Sequence, residues 1–223
     1  MIEEPERRRL MRKLFGTLLQ IRLAVAVIAV LGVAFVAFGF LVGMPPFAYI
    51  VIGLLIAAPT VLYVYKPRET ALTNAKALTV FFGATVATLL IIQLIPFGKD
   101  HSNPPVNGEP DWSSPRTREL MVNACFGCHS NSVEYPAYAS VAPISWTVQS
   151  HIDEGREKVN YQEWNSRQRE AEETIEVIEE GSMPPSYYTM FGRHPEAKLT
   201  NAEISELIAG LLATPGFSEG DGE

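Results

Sequence analysis

Cysteine is nearly absent from this chain: its 223 residues hold two, Cys125 and Cys128. Two thiols three positions apart cannot staple a fold, so a disulfide framework is excluded. Histidine is scarce at four, and His101, His151 and His194 stand singly, without the paired spacing that would complete a zinc site. Charge is missing altogether from three long stretches, 23–42, 47–65 and 77–97 in round bounds, apart from their edges. Pumps and transporters place ionisable groups at mid-membrane, so this lack argues against both. Period-two alternation is also missing over any length, which leaves an all-α chain.

What is present begins with those three runs of 20, 19 and 21 residues. Each reaches the ~20 residues that cross a ~30 Å hydrocarbon core as a helix. The expected organisation is a membrane domain over 1–97 with three transmembrane helices, a linker or surface strap over 98–113, and an exported helical domain over 114–223. No cleaved signal peptide is expected ahead of the first span. Arg7, Arg8, Arg9, Arg12, Lys13 and Arg22 precede that span, and Lys66, Arg68 and Lys76 lie between the second and third. The 43–46 connection carries no charge, so the positive-inside rule puts the N-terminus in the cytoplasm and brings the chain out at Gly98. Small residues at Gly32, Ala34, Ala37, Gly39, Gly83, Ala84 and Ala87 suit close helix packing, internal or against a partner.

Charge divides at the membrane exit. Residues 1–100 hold 10 basic and 5 acidic side chains, residues 101–223 hold 8 and 20, and the two nets of +5 and −12 give the whole chain's −7. An acidic exported domain argues against nucleic acid and favours a partner with a basic face.

The two cysteines belong to Cys125-Phe126-Gly127-Cys128-His129. C-x-x-C-H is the spacing at which two thiols bond to the vinyl groups of a haem while the adjacent histidine reaches the iron. A thioredoxin-like pair would expect a βαβ context, which this region lacks. Covalent haem attachment in bacteria normally occurs outside the inner membrane, where the topology puts this motif. Around it, Ser114 and Pro115 mark a helix start that runs through Leu120, Met121 and Ala124. Further helices are expected near 145–155, over 167–180 with a stop at Gly181, and from a Thr200–Glu203 capping box. The last carries Ile204, Leu207, Ile208, Leu211 and Leu212 on one face.

From Asn107 to Leu212 the chain resembles the membrane-anchored haem-binding domain family of monohaem c-type cytochromes. The resemblance rests on Asn107-Gly108, Trp112-Ser113-Ser114-Pro115, Arg118-Glu119-Leu120, the C-x-x-C-H, Tyr135-Pro136 and Ala142-Pro143-Ile144-Ser145-Trp146. It continues in Asp153-Glu154-Gly155-Arg156, Gly181-Ser182-Met183-Pro184-Pro185, Tyr187-Tyr188 and His194-Pro195-Glu196-Ala197. It implies a small class I-like cytochrome c fold, one covalently bound haem c and an electron-transfer role rather than an enzymatic one. The family is often anchored by one span; three here suggest association with a membrane complex.

The iron's second axial position falls to a short choice. Met183 follows the Gly181 stop and is stiffened by Pro184 and Pro185, and the resemblance points to the same sulfur. Met190, His151 and His194 are the competitors, while Met121 lies one turn before Cys125 and reads as core. Tyr187, Tyr188, Trp146 and Tyr138 are candidates for the walls of the site. The expected function is a membrane-bound electron carrier, or a subunit of a respiratory or photosynthetic complex, on the periplasmic face of a bacterial inner membrane. Its partners would be the lipid bilayer and electron-transfer proteins; a five-coordinate haem sensor or peroxidase-like enzyme is the alternative.

Overall fold

A computed structural model describes residues 15–16, 19–66, 72–168 and 170–217. Arg7, Arg8, Arg9, Arg12, Lys13 and Arg68, on which much of the orientation argument rests, lie outside the described residues. Every regular element among those described is helical. The chain divides into two compact units, Met1–Pro96 and Phe97–Glu223.

The first unit holds α1 (Arg22–Leu41), α2 (Pro46–Tyr65) and α3 (Asn74–Ile91), the last continued by a 3-10 turn over Ile92–Leu94. All three are long and apolar enough to cross a membrane. Pro46 opens α2, where its missing N–H costs nothing. The third span lies about three residues earlier than its apolar run at both ends. Thr73 caps it by accepting from the Lys76 N–H, and Pro96 holds Ile95 extended at φ −79°, ψ 121°, so the helix cannot continue. Ile21 gives α1 no side-chain cap. Asn74 supplies one from the start of α3, its Oδ1 accepting from the Ala24 N–H at 2.9 Å. Within the chain, only one of the glycines in the spans is closely approached. A Cβ would meet nothing within 4 Å at Gly32, Gly53 or Gly83, whereas at Gly39 it would strike the Tyr49 ring.

The second unit holds α4 (Pro115–Ala124), α5 (Phe126–His129), α6 (Ile144–Lys158), α7 (Glu173–Glu179), α8 (Ser186–Thr189) and α9 (Asn201–Leu212). Ser114 caps α4, its side chain accepting from the Thr117 N–H at 3.0 Å, and Thr200 and Glu203 close a full capping box on α9. Leu120 and Met121 of α4 pack with Leu207 and Leu211 of α9, Phe126, Tyr161, Ile178 and Phe217. Fully burying each such side chain is worth about 1.5–3 kcal/mol. Leu212, expected on the same face, is exposed.

Two helices depart from their expected bounds. α6 runs three residues beyond Gly155, where Arg156 and Lys158 in its last turn complement the helix dipole. α7 is shorter than 167–180 because Gln168 is spent on a turn, its Oε1 accepting from the Asn160 N–H and its Nε2 donating to the Glu163 carbonyl, both at 2.8 Å. Residues 98–113 form a strap bound to their own unit rather than a free tether. The Asn107 N–H donates to the Gln162 carbonyl, the Trp164 N–H to the Gly108 carbonyl, and the side chains of Asn103 and Asn131 donate to the Val133 and Pro105 carbonyls.

Candidate haem site

The C-x-x-C-H motif is delivered by the break between α4 and α5. Cys125 ends α4 at φ −120°, ψ −34°, and the chain turns at once into Phe126–His129, with the His129 N–H bonded to the Cys125 carbonyl. That single turn brings both sulfurs and the imidazole to one cavity of about 330 Å³, within the size range of cofactor pockets. A second hollow of about 190 Å³ shares Cys125, Ile178, Met183 and Pro184 with it.

Two glycines let the walls close on the motif. A Cβ on Gly155 of α6 would sit 3.0 Å from the Cys128 carbonyl oxygen and 3.2 Å from its Cβ, so this helix approaches the motif backbone to backbone. A Cβ on Gly127 would run into the Tyr188 hydroxyl.

His129 is oriented from behind. Its Nδ1 lies 3.0 Å from the Val159 carbonyl, which can only accept, so Nδ1 carries the proton and Nε2 keeps its lone pair free to bind a metal. Burial holds the imidazole below its ordinary pKa, with the backbone bonds to Val159 and Gly155 working against it, so the neutral, ligating form is favoured. The Tyr161 ring, 5.9 Å away and tilted at 45°, backs the imidazole.

Both cysteines are free and half-buried. Burial pushes the Cys125 thiol up to about 12, helped by Cys128, and the Cys128 thiol up to about 11, opposed by Arg156. Such thiols are held protonated at neutral pH, the opposite of the thiolate a disulfide-exchange pair needs. Among the described residues no group of three or more His, Cys, Asp and Glu is arranged to hold a metal ion.

Met183 reaches the same cavity by a different construction. Gly181, at φ +68°, closes α7: its N–H donates to the Ile178 carbonyl and that of Ser182 to the Val177 carbonyl, the paired bonds of a Schellman stop. The Met183 N–H donates to the same Val177 oxygen at 3.1 Å, and Pro184 and Pro185 lead into α8. Sulfur is thus carried to the cavity on a backbone fixed on both sides.

The competitors separate. His151 lines the cavity, stacked on Tyr187 at 4.6 Å; Met190 and His194 do not line it, and Met121 is fully buried in the core. Tyr187 and Tyr188 form part of the wall, whereas Trp146 and Tyr138 do not. Sequence reasoning missed Val159, Tyr161, Thr174 and Val177. Val159 acts through its carbonyl, which no side-chain pattern advertises, and Tyr161 follows a polar turn with nothing to mark it.

A model of the haem-binding domain matches residues 87–213, more than half of the chain, and the protein belongs to that family. No curated protein and no solved structure matches it. The donor set fits the group the family binds: two thiols, a neutral imidazole and a thioether converge on a cavity with a mainly apolar wall.

Proposed function

We propose that this protein is a membrane-anchored monohaem c-type cytochrome that passes single electrons on the periplasmic face of a bacterial inner membrane. The observation that carries this reading is the meeting of Cys125, Cys128, His129 and Met183 in one cavity. Cys125 and Cys128 would hold the haem through thioether bonds, His129 Nε2 would take one axial position and the Met183 sulfur the other. Haem bound there supplies one-electron exchange at its iron. The chain's own part is to fix both ligands, bury the site and present it to a partner. Were His129 and Met183 both to hold the iron, no position would remain for a substrate, which favours a carrier or complex subunit over an enzyme. The acidic exported domain supports a partner with a basic docking face.

A second reading, a five-coordinate sensor or peroxidase-like haem, draws on His151, a polar side chain in the same cavity. The absorption spectrum of the reduced protein with and without carbon monoxide decides between them. A six-coordinate carrier leaves the spectrum unchanged on adding the gas; a shifted band sinks the carrier reading.

A further inference from the structure

α6 ends at Lys158, and the chain leaves it at Val159, extended at φ −149°, ψ 134°. Beyond that point no helix ladder decides where the Val159 carbonyl is aimed, yet its oxygen accepts from His129 Nδ1 at 3.0 Å. A carbonyl outside regular structure keeps its aim only if the residues beside it are fixed. The next residue, Asn160, is 6% exposed and is bonded through backbone and side chain alike. Its N–H donates to Gln168 Oε1 at 2.8 Å, and its carbonyl accepts from the Glu163 N–H at 3.1 Å. Its Nδ2 donates to Asn131 Oδ1 at 2.8 Å, and its Oδ1 accepts from the Gln162 N–H at 3.0 Å.

Both amides are oriented by partners that can play one role. The Gln162 N–H only donates, so it faces Asn160 Oδ1 and turns Nδ2 toward Asn131. Asn131 Nδ2 donates to the Pro105 carbonyl and to Glu163 Oε1, at 2.9 and 2.7 Å, which leaves its Oδ1 for Asn160. Asn131 is itself buried and lies just beyond His129 in the chain. The Tyr161 N–H donates to the His129 carbonyl at 2.9 Å. The turn that leaves the motif and the turn that leaves α6 are therefore joined at the His129 ring, at the His129 carbonyl and at the Asn131–Asn160 pair.

We infer that Asn160 is a positioning residue of the haem site: its side chain locks the Val159 carbonyl onto His129 Nδ1 and so helps to set the potential at which the site gives up an electron. The inference rests on the proposed haem function. Asn160 does not line the cavity and acts through Val159. A hydrogen bond from Nδ1–H to a fixed acceptor makes the imidazole more basic at Nε2. A more basic ligand favours the oxidised site, so the lock holds the midpoint potential down. Releasing it raises the potential and opens the Nδ1 proton to exchange with solvent.

The test is a potentiometric titration of the full-length protein in detergent at one fixed pH, with ferricyanide as oxidant and dithionite as reductant. Deuterium exchange of the His129 Nδ1 proton in the reduced protein accompanies it. Asn160→Ala should raise the midpoint potential and speed that exchange about fivefold or more, the share of one hydrogen bond. Asn131→Ala should act in the same direction, and the double variant should move the potential by less than the sum of the two. Ser113→Ala breaks long-range bonds elsewhere in the same unit and should leave both readings at wild-type values. An unmoved potential in Asn160→Ala overturns the inference, as does an equal rise in Ser113→Ala or strict additivity in the double variant. Should Asn160→Ala not fold, Gln168→Ala decides. It removes the acceptor of the Asn160 N–H and should raise the potential by a smaller amount; no rise overturns the inference. A purified protein without a haem spectrum overturns the haem reading and this inference with it; a haem spectrum with an unmoved potential overturns this inference alone.

Discussion

The two units are built on opposite terms. In the membrane unit only 11%, 11% and 17% of the residues in the three apolar windows are buried by the protein itself. Asn74, at the start of α3, bonds to Ala24 of α1, but Thr60, Thr79, Thr85 and Gln93 each donate to a carbonyl four residues back, those of Ile56, Ala75, Phe81 and Leu89. In the haem unit side-chain hydrogen bonds reach across the chain. Ser113 Oγ donates to the Gly210 carbonyl at 2.7 Å, and its N–H to Thr214 Oγ at 3.1 Å, 101 positions away. Where lipid is the solvent, a helix satisfies its own backbone and needs few partners. The haem unit must instead bring four side chains from two separate segments to one cavity, and it does so with long-range contacts.

That contrast can be broken most severely at the motif. The double variant Cys125→Ala, Cys128→Ala should lose all haem resistant to acidified-solvent extraction, yet remain in the membrane fraction after carbonate washing. Loss from the membrane would mean that the units do not stand apart. Next in size is Met183→Ala. It should abolish the weak near-infrared sulfur-to-ferric-iron band and lower the potential by on the order of 0.1 V, within the ~0.8 V span axial ligands command. Met190→Ala should do neither, and the reverse pattern would unseat Met183.

A smaller effect probes the strap. Glu109 binds the Arg118 guanidinium through two bonds, at 2.7 and 2.8 Å, and also accepts from Trp112 Nε1 and Gln162 Nε2. The Arg118 bonds, above all, hold its carboxyl down at about 2, from an ordinary 4.5, against the cost of burial. A depressed carboxylate contributes stability that is present above pH 4.5 and fades as pH falls toward 2. Thermal melts of the haem unit should therefore lose stability across that window. Glu109→Gln should start lower by about 1–3 kcal/mol at neutral pH and show a flatter acid limb. An unchanged acid limb would mean that the strap is not held by this charge.

The smallest effects compare the units directly. Ser113→Ala removes a hydrogen bond between distant segments and should cost about 1 kcal/mol in chemical denaturation of the haem unit. Thr79→Val removes only a bond within one turn of α3 and should leave detergent stability within about 0.5 kcal/mol of wild type. Equal costs would erase the distinction.

The legibility of the sequence follows the same division. Three charge-free runs of span length have one reading, and the helices lie within about three residues of it. The cap residues Ser114 and Thr200 with Glu203 likewise specify helix starts locally, and both are seen. α7 was overestimated because its N-terminal half depends on Gln168 bonding to a turn eight residues away, which no local pattern encodes. At the site, Cys125, Cys128, His129 and Met183 are side chains in motifs and can be read. Val159 contributes a carbonyl and Gly155 an absence of Cβ, and both gain meaning only when α6 lies against the motif. Gly32 and Gly83 have nothing of this chain against them, for a related reason: a small residue permits a close approach but cannot name what approaches.

The Schellman stop at Gly181 has a consequence for kinetics. The Met183 backbone is set by two carbonyls of α7 and by the prolines that follow, none of which depends on the charge in the cavity. On the proposed reading, a sulfur carried on that backbone would need to move little when an electron leaves, since preorganised groups need not move when charge changes. The inner-sphere reorganisation energy would then be small, and the rate would depend on how near the partner comes more than on how far the ligand must travel.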